Sequence, residues 1–429
     1  MTTLKRQLTL KDGISLAFGS VIGSGILFLP SLTYSISGAY TLWVWIITMA
    51  ICIPLTFIFS DMVKHIPSES GIEGFISAGL GKHIGAAVPL IFLGTVSLGM
   101  PSSALIVGEY VKNLTGGGVE MQLITAFLII FTGALTNLFG IKVGANIQLA
   151  ITFLIVIISV SLLMLAKPTE FGQGSLLISS SLITASLPAI LVAFWAFAGF
   201  ENLTFIAGEF KNPSRDIKVS MLIALFLSGL LYLLLSESCA SHISQAKINP
   251  IAGLYQLSEN APSKHITTFI ITIFAILAVQ INFNSWIWGI SRLIYSSAKS
   301  QKLPSYFSAI NNKHIPARAV YLLAVIFSLV LIFSVFFPNF LKSMLVVVST
   351  NFVFIYLMCM ASYISLRKRS LLKFVAILLA IFFVTLLASS KWLVLYPLLL
   401  LVVGVVLSGN YSGAFLAQRA LSSETATTG

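Results

Sequence analysis

Two short stretches carry the residues most able to do chemistry. The first, "GSVIGSGILFLP" (residues 19–30), sets Gly19, Gly23 and Gly25 with Ser20 and Ser24 inside a strongly apolar run that closes on Pro30. Each glycine costs a helix about 1 kcal/mol relative to alanine, and an interior proline about 3 kcal/mol. Gly19 and Gly23 fit the small-xxx-small spacing by which membrane helices pack closely. Gly25 does not, because residues two apart on a helix face different ways. The second stretch, "FWAFAGFEN" (residues 194–202), places Gly199 just ahead of Glu201 and Asn202 in the middle of another apolar run. A charged carboxylate at a membrane-helix centre costs roughly 2.5–3.5 kcal/mol on insertion scales. Unwound backbone at two such points frees N–H and C=O groups that hydrocarbon cannot satisfy but a bound solute can. The chemistry implied is capture of a polar solute by backbone, with one buried acid nearby.

The elements around these stretches are membrane spans. Of 429 residues, 57% are hydrophobic and only 9% are charged, against about 25% charged in an ordinary soluble domain. A mean hydropathy of +1.00 leaves no stretch for a sizeable soluble domain. Apolar runs of about 20 residues place twelve spans near 13–37, 40–60, 84–108, 122–140, 143–166, 184–208, 218–241, 266–296, 319–338, 341–365, 371–389 and 391–409. Residues 1–12 and 410–429 fall outside them, and the polar end "SSETATTG" reads as a disordered tail. The connection 242–265 mixes apolar and turn residues, which suits a short lid helix. Both weak stretches lie in matching spans, the first and the sixth, if spans 1–5 and 6–10 form two halves of opposite topology. Paired interruptions of that kind point to a transport site at the membrane midplane.

The net charge of +12 is an orientation signal. With a cytoplasmic N-terminus, nineteen of the 25 Lys and Arg fall on the inner side, and Lys112, Lys167, Lys247, Lys264, Lys342 and Lys391 on the outer. That asymmetry follows the positive-inside rule with both termini cytoplasmic, so lipid headgroups, not nucleic acid, are the partners of the excess charge. Lys5, Arg6 and Lys11 ahead of an apolar run resemble a signal peptide, but the run is too long for one and carries the glycine break. Cys52, Cys239 and Cys359 all lie in spans and suggest packing, not a disulfide framework. The five histidines have no metal-ligand spacing, and neither a Walker sequence nor GxSxG occurs, so no cofactor, ATP hydrolysis or nucleophilic catalysis is expected. "SSAK" at Ser296–Lys299 is a four-residue chance match at a basic helix end.

"GSVIGSGILFLP" resembles the first-helix signature of the amino acid–polyamine–organocation (APC) transporter superfamily. "FWAFAGFENLTFIAGEFKNPSRDI" is similar to its sixth helix and following loop, and "NSWIWGISRLIYSSAKSQKLP" with "NNKHIPARAV" to its eighth helix and the loop after it. Within the superfamily the chain resembles the bacterial exporters of L-methionine and branched-chain amino acids, chiefly through "GEFKNPSRD" and the eighth-helix region. The resemblance implies an all-α polytopic membrane protein with a five-plus-five inverted repeat, broken helices 1 and 6, and two C-terminal helices. It implies a multi-pass protein of the bacterial inner membrane that works by alternating access.

It also implies a site. The substrate carboxylate is expected at backbone amides of Ile22, Gly23, Ser24, Gly25 and Ile26, and the ammonium at carbonyls around Ala198, Gly199 and Phe200. Trp195 and Trp286 match gating or stacking aromatics, and Glu201 a glutamate that links protonation to gating. Phe197 is a further candidate for the pocket. Asn282, Asn284 and Asn351 are costly in lipid and so face the bundle interior, as solute ligands or as helix bridges. Relatives with a lysine in the fifth helix in place of sodium have Ile155 at the matching position here, and Ser285 is followed by Trp286 instead of a second hydroxyl, so sodium is disfavoured. Proton coupling through Glu201 and simple facilitated exit both stay open. The leading expectation is export of neutral apolar amino acids. Uptake or exchange of cationic amino acids or polyamines is the alternative, and would favour more acidic groups than Glu201. A transporter-like nutrient sensor would call for a cytoplasmic partner domain or long tail, which does not stand out in these residues.

Overall fold

The computed structural model describes residues 6–66, 70–139, 141–166, 180–250, 252–259, 263–337 and 340–408. The expected tail 410–429 lies outside the described residues. The chain enters through α1 (Leu10–Val21), started by a capping box in which the Asp12 carboxylate accepts from Thr9 N and Thr9 Oγ1, each at 2.8 Å. At twelve residues α1 is only about 18 Å long, too short to cross a bilayer. It is continued by α2 (Gly25–Ser37), and the two together make one interrupted span. Then follow α3 (Thr41–His65), the short α4 (Ile72–Leu80), α5 (Lys82–Thr115), α6 (Val119–Leu138) and α7 (Ile141–Ala166).

The pattern then repeats. A second interrupted span consists of α8 (Ser180–Phe197) and a 3-10 helix, Phe200–Glu209. After it come α9 (Pro213–His242), the short α10 (Gly253–Glu259), α11 (Lys264–Lys299), α12 (Ala317–Phe336) and α13 (Phe340–Leu366). Each half is thus a broken span, a span, a short helix and three further spans. Five is an odd number of crossings, so the second half runs through the membrane in the opposite sense to the first. α14 (Leu371–Ser389) and a last apolar segment, Lys391–Ser408, complete the chain. They are separated at Ser390, where Lys391 takes a φ of 55°.

Among the described residues eleven segments are long and apolar enough to cross a membrane. The first, Gly25–His65, contains the turn Gly38–Tyr40 and is two crossings, so there are twelve. The outer helices turn large apolar side chains outward, as Phe131 on α6 and Phe153 on α7 do, which suits contact with lipid tails. α1, α11 and the 3-10 helix are enclosed, and α11 buries an unbroken run from Ile281 to Ala298.

At the end of the bundle that carries the N-terminus, the chain before α1 closes against the chain after the 3-10 helix. Leu8 and Phe210 form an isolated parallel bridge. Gln7 N and Leu8 N both donate to Glu209 O at 2.9 Å, and Lys211 N donates to Leu8 O at 3.0 Å. The Glu209 side chain accepts from Arg292 Nε at 2.8 Å, and both groups are buried. The guanidinium also sits over the Trp288 ring. Sequence reasoning singled out Glu201 as the acid deep in a helix; the structure adds Glu209 and also buries Glu73, which is held by Ser297 Oγ and Lys302 Nζ.

Removing one partner of a buried ion pair strands the other charge at a cost of about 3–5 kcal/mol, whereas replacing both with uncharged groups is often neutral. Glu209→Ala should therefore lower the midpoint of thermal unfolding in detergent markedly. The double variant Glu209→Gln with Arg292→Met should recover most of that loss.

Candidate functional site

The two interruptions meet. α1 ends at Val21, Ile22 is extended, and α2 begins at Gly25. α8 ends at Phe197, and Gly199 follows with a φ of 132°, a region that side chains rarely adopt. A Cβ on Gly199 would lie 2.4 Å from Ser20 O. Any other residue there would drive the two broken spans apart.

The exposed carbonyl end of α1 is held by side chains of α11. Asn282 Nδ2 donates to Gly19 O at 3.1 Å and to Ser20 O at 2.8 Å, and Trp286 Nε1 donates to Ser20 O at 3.2 Å. Asn202, in the 3-10 helix, donates to Ser20 Oγ and to Ser285 O. One layer further, Gln148 of α7 donates to Ser15 O, Ile281 O and Ser285 Oγ, and its own carbonyl accepts from Asn284 Nδ2 at 2.7 Å. Asn137 of α6 completes the relay by donating to Asn284. Asn282 and Asn284 are therefore helix bridges, and Asn282 also reaches the cavity described next. Asn351 donates to Thr95 Oγ1 at 3.1 Å.

A cavity of about 40 Å³ lies beside the two breaks. Ligand sites run to roughly 300–1,000 Å³, so the site is contracted in this conformation. Gly23, Ser24 and Gly25 form one side of the cavity and Trp195, Ala196 and Ala198 of α8 another. α5 contributes Thr95, Val96, Gly99, Met100 and Ser103; the rest of the wall includes Tyr232 of α9, Trp286 of α11, and Val348 and Phe352 of α13. Trp195 packs on Phe28 and Trp286 on Phe352, so both indoles have fixed positions. Among the described residues no acceptor is paired with the N–H of Gly23, Ser24 or Gly25, and no donor with the carbonyls of Ala196 and Ala198. The N-terminus of α2 is the positive pole of a helix and the C-terminus of α8 a negative one. The cavity thus has donors and acceptors from backbone, and otherwise mainly apolar side chains.

Of the residues expected in the site, Gly23, Ser24, Gly25, Trp195, Ala198 and Trp286 reach the cavity wall. Ile22 and Ile26 are packed into the core, and Gly199 is enclosed in the crossing of the two breaks. Phe197 stacks edge-on against Trp45 and Tyr232. Phe200 and Glu201 face away from the cavity toward α3 and α13: Phe200 contacts the Phe59 ring, and Glu201 Oε2 accepts from Tyr356 OH and, at 2.8 Å, from Gly199 N. Ile155 is buried, and the polar links from α7 to α1 are made earlier on α7, by Thr152 to Ser15 Oγ at 2.9 Å and by Gln148 to Ser15 O. The α5 wall escaped sequence reasoning. Its one signal was Thr95, Gly99 and Ser103 at four-residue spacing on an otherwise apolar helix.

Residues 8–415 match the amino acid permease family. The chain belongs to that family. It is 28% identical over 405 residues to an uncharacterized amino acid permease, YecA, of Bacillus subtilis, an alignment covering 94% of this chain and 95% of that one. It is 26% identical over 417 residues to the L-methionine/branched-chain amino acid exporter YjeH of Escherichia coli, covering 94% and 96%. It is 20% identical over 320 residues to the cadaverine/lysine antiporter of Escherichia coli, covering 72% and 70%.

In this permease the glycines of the first break leave room for the backbone itself to line the cavity. A Cβ on Gly25 would come within 2.9 Å of both Tyr232 Oη and Leu29 Cδ1. Gly25→Val should abolish amino acid uptake into proteoliposomes while the protein still elutes as a folded species from size exclusion. Normal transport by this variant would place the solute elsewhere.

Proposed function

We propose that this permease exports neutral apolar L-amino acids, namely methionine, leucine, isoleucine and valine, from the cytoplasm across the bacterial inner membrane by alternating access. The observation that carries the reading is the composition of the cavity wall: among the described residues it includes no carboxylate and no side-chain cation. A zwitterion would place its carboxylate at the open N–H groups of Gly23, Ser24 and Gly25, and its ammonium at the carbonyls of Ala196 and Ala198. Its side chain would then lie among Val96, Met100, Trp286, Val348 and Phe352. A diamine or lysine would bury a second charge there without a partner, at a cost of several kcal/mol. The outward direction rests on the similarity to a methionine and branched-chain exporter. The orientation, with both termini cytoplasmic, rests on the excess of Lys and Arg in the inner loops.

Counterflow of labelled leucine in proteoliposomes tests the substrate class. Methionine and leucine should compete strongly, with lysine, arginine, putrescine and glutamate ineffective. Each methylene buried contributes about 0.8 kcal/mol, so alanine should compete several-fold less well than leucine. Inhibition by arginine or putrescine, with none by leucine, would favour the cationic reading.

Proton coupling through Glu201 belongs to the same proposal. Its support is a buried carboxyl that holds Gly199 N–H, the peptide that follows Ala198 on the cavity wall. Glutamine matches the shape of a neutral carboxylic acid and cannot release a proton. Glu201→Gln should keep substrate binding and flatten the pH dependence of transport measured from acid to neutral pH. Two parallel profiles would leave Glu201 as a helix-bridging group alone.

A further inference from the structure

Gly99 lies in the middle of α5, where glycine costs a helix about as much as a lost hydrogen bond. The other cavity glycines have steric reasons to be there. A Cβ on Gly23 would come 2.7 Å from the Asn282 carboxamide carbon, and one on Gly25 2.9 Å from Tyr232 Oη. Gly99 has no such reason. A Cβ there would meet only Val348 Cγ1 and Cγ2, both at 3.5 Å, which is ordinary contact. Its φ is not positive, so the backbone accepts any L residue. Neither backbone conformation nor helix packing therefore requires glycine at position 99.

What remains is the cavity, which Gly99 lines together with Val96, Met100 and Val348. Its neighbours one turn away on either side, Thr95 and Ser103, also line the cavity and turn their hydroxyls back to helix carbonyls, Thr95 to Ile91 O at 2.7 Å and Ser103 to Gly99 O at 2.9 Å. The α5 wall thus alternates the small Thr95, Gly99 and Ser103 with the larger Val96 and Met100, and is lowest at Gly99. The backbone groups that would take the carboxylate and ammonium belong to α2 and α8, so α5 and α13 bound the region left for the side chain.

We infer that Gly99, opposite Val348, is the residue that sets the length of amino acid side chain this permease accepts: the missing methyl is the space for the far end of a long unbranched or γ-branched chain. This rests on the apolar substrate class proposed above. A methyl on residue 99 would fill that end without moving the backbone, and trimming Val348 would lengthen it.

The test is transport of alanine, valine, leucine, methionine and phenylalanine by wild type, Gly99→Ala and Val348→Ala in proteoliposomes, each as kcat/KM. One methylene in a fitted pocket discriminates by about tenfold or more. Gly99→Ala should lower the methionine-to-valine ratio of kcat/KM by about that factor. Val348→Ala should shift preference the opposite way, toward phenylalanine. An unchanged rank order in both variants, or an equal loss for every substrate in Gly99→Ala, would overturn the assignment. Should Gly99→Ala fail to fold, the Val348→Ala ratios decide alone. If wild type carries none of the five but carries lysine, the substrate class proposed above fails in the wild type itself, and this assignment falls with it.

Discussion

A helix cut in the middle of a bilayer leaves backbone groups that lipid cannot satisfy, each costing several kcal/mol. The organisation of this permease depends on how that debt is divided. The carbonyl end of α1 is satisfied from within: Gly19 O and Ser20 O receive Asn282 and Trp286. The donors at the start of α2 and the acceptors at the end of α8 receive nothing from the described residues. The fold completes one side of the break and leaves the other side without a partner among the described residues. The same bonds shape the cavity, because Trp286 is anchored by its N–H to Ser20 O and so presents a fixed indole face to the space beside it. Gly23 follows from this too, since a side chain there would displace the Asn282 amide that closes α1.

Behind this first set of bonds lies a second that ties α7 to α1 and α11, and α6 to α11. The Gln148 amide nitrogen faces three oxygens, from α1 and α11, while its oxygen is held by Asn284, itself held by Asn137. A fully satisfied buried network of this kind is geometrically demanding, and loss of one member leaves others unpaired. Gly19 makes it possible, because a Cβ at that position would fall 1.9 Å from Gln148 Nε2. The polar residues of α7 and α11 therefore fix the half of the first span that must stay attached to the bundle, independently of any ion at Ile155.

Much of this was legible in the residues, and for energetic reasons. Gly25, Gly199 and Glu201 each make an apolar helix worse, so their presence signals a break that something else compensates. Twelve spans followed from length and apolarity alone, and the short helix α10 from the turn residues around it. The α5 wall was not legible, because Thr95, Gly99 and Ser103 have the spacing of a packing stripe as much as of a binding face. Only the free space at Gly99 separates the two. Arg292 is among the nineteen Lys and Arg assigned to the inner side, yet it pairs with Glu209 within the protein. A one-dimensional charge count cannot distinguish a headgroup contact from a buried pair formed by segments 83 residues apart.

In the proposed function, the position of Glu201 would let an acid act on a site it does not touch. Its carboxylate lies among Phe59, Phe200 and Tyr356, away from the cavity, yet it accepts the N–H of Gly199. The peptide carrying that N–H also carries the carbonyl of Ala198, whose residue lines the cavity. Donor and acceptor of one peptide polarise each other, so in the proposed function charge on Glu201 would strengthen the Ala198 carbonyl as an acceptor for an ammonium, and protonation would weaken it. An acid inside the cavity would instead pair with the ammonium directly and attract cations in general. Set one peptide away, it modulates a backbone acceptor and leaves the side-chain end of the cavity apolar.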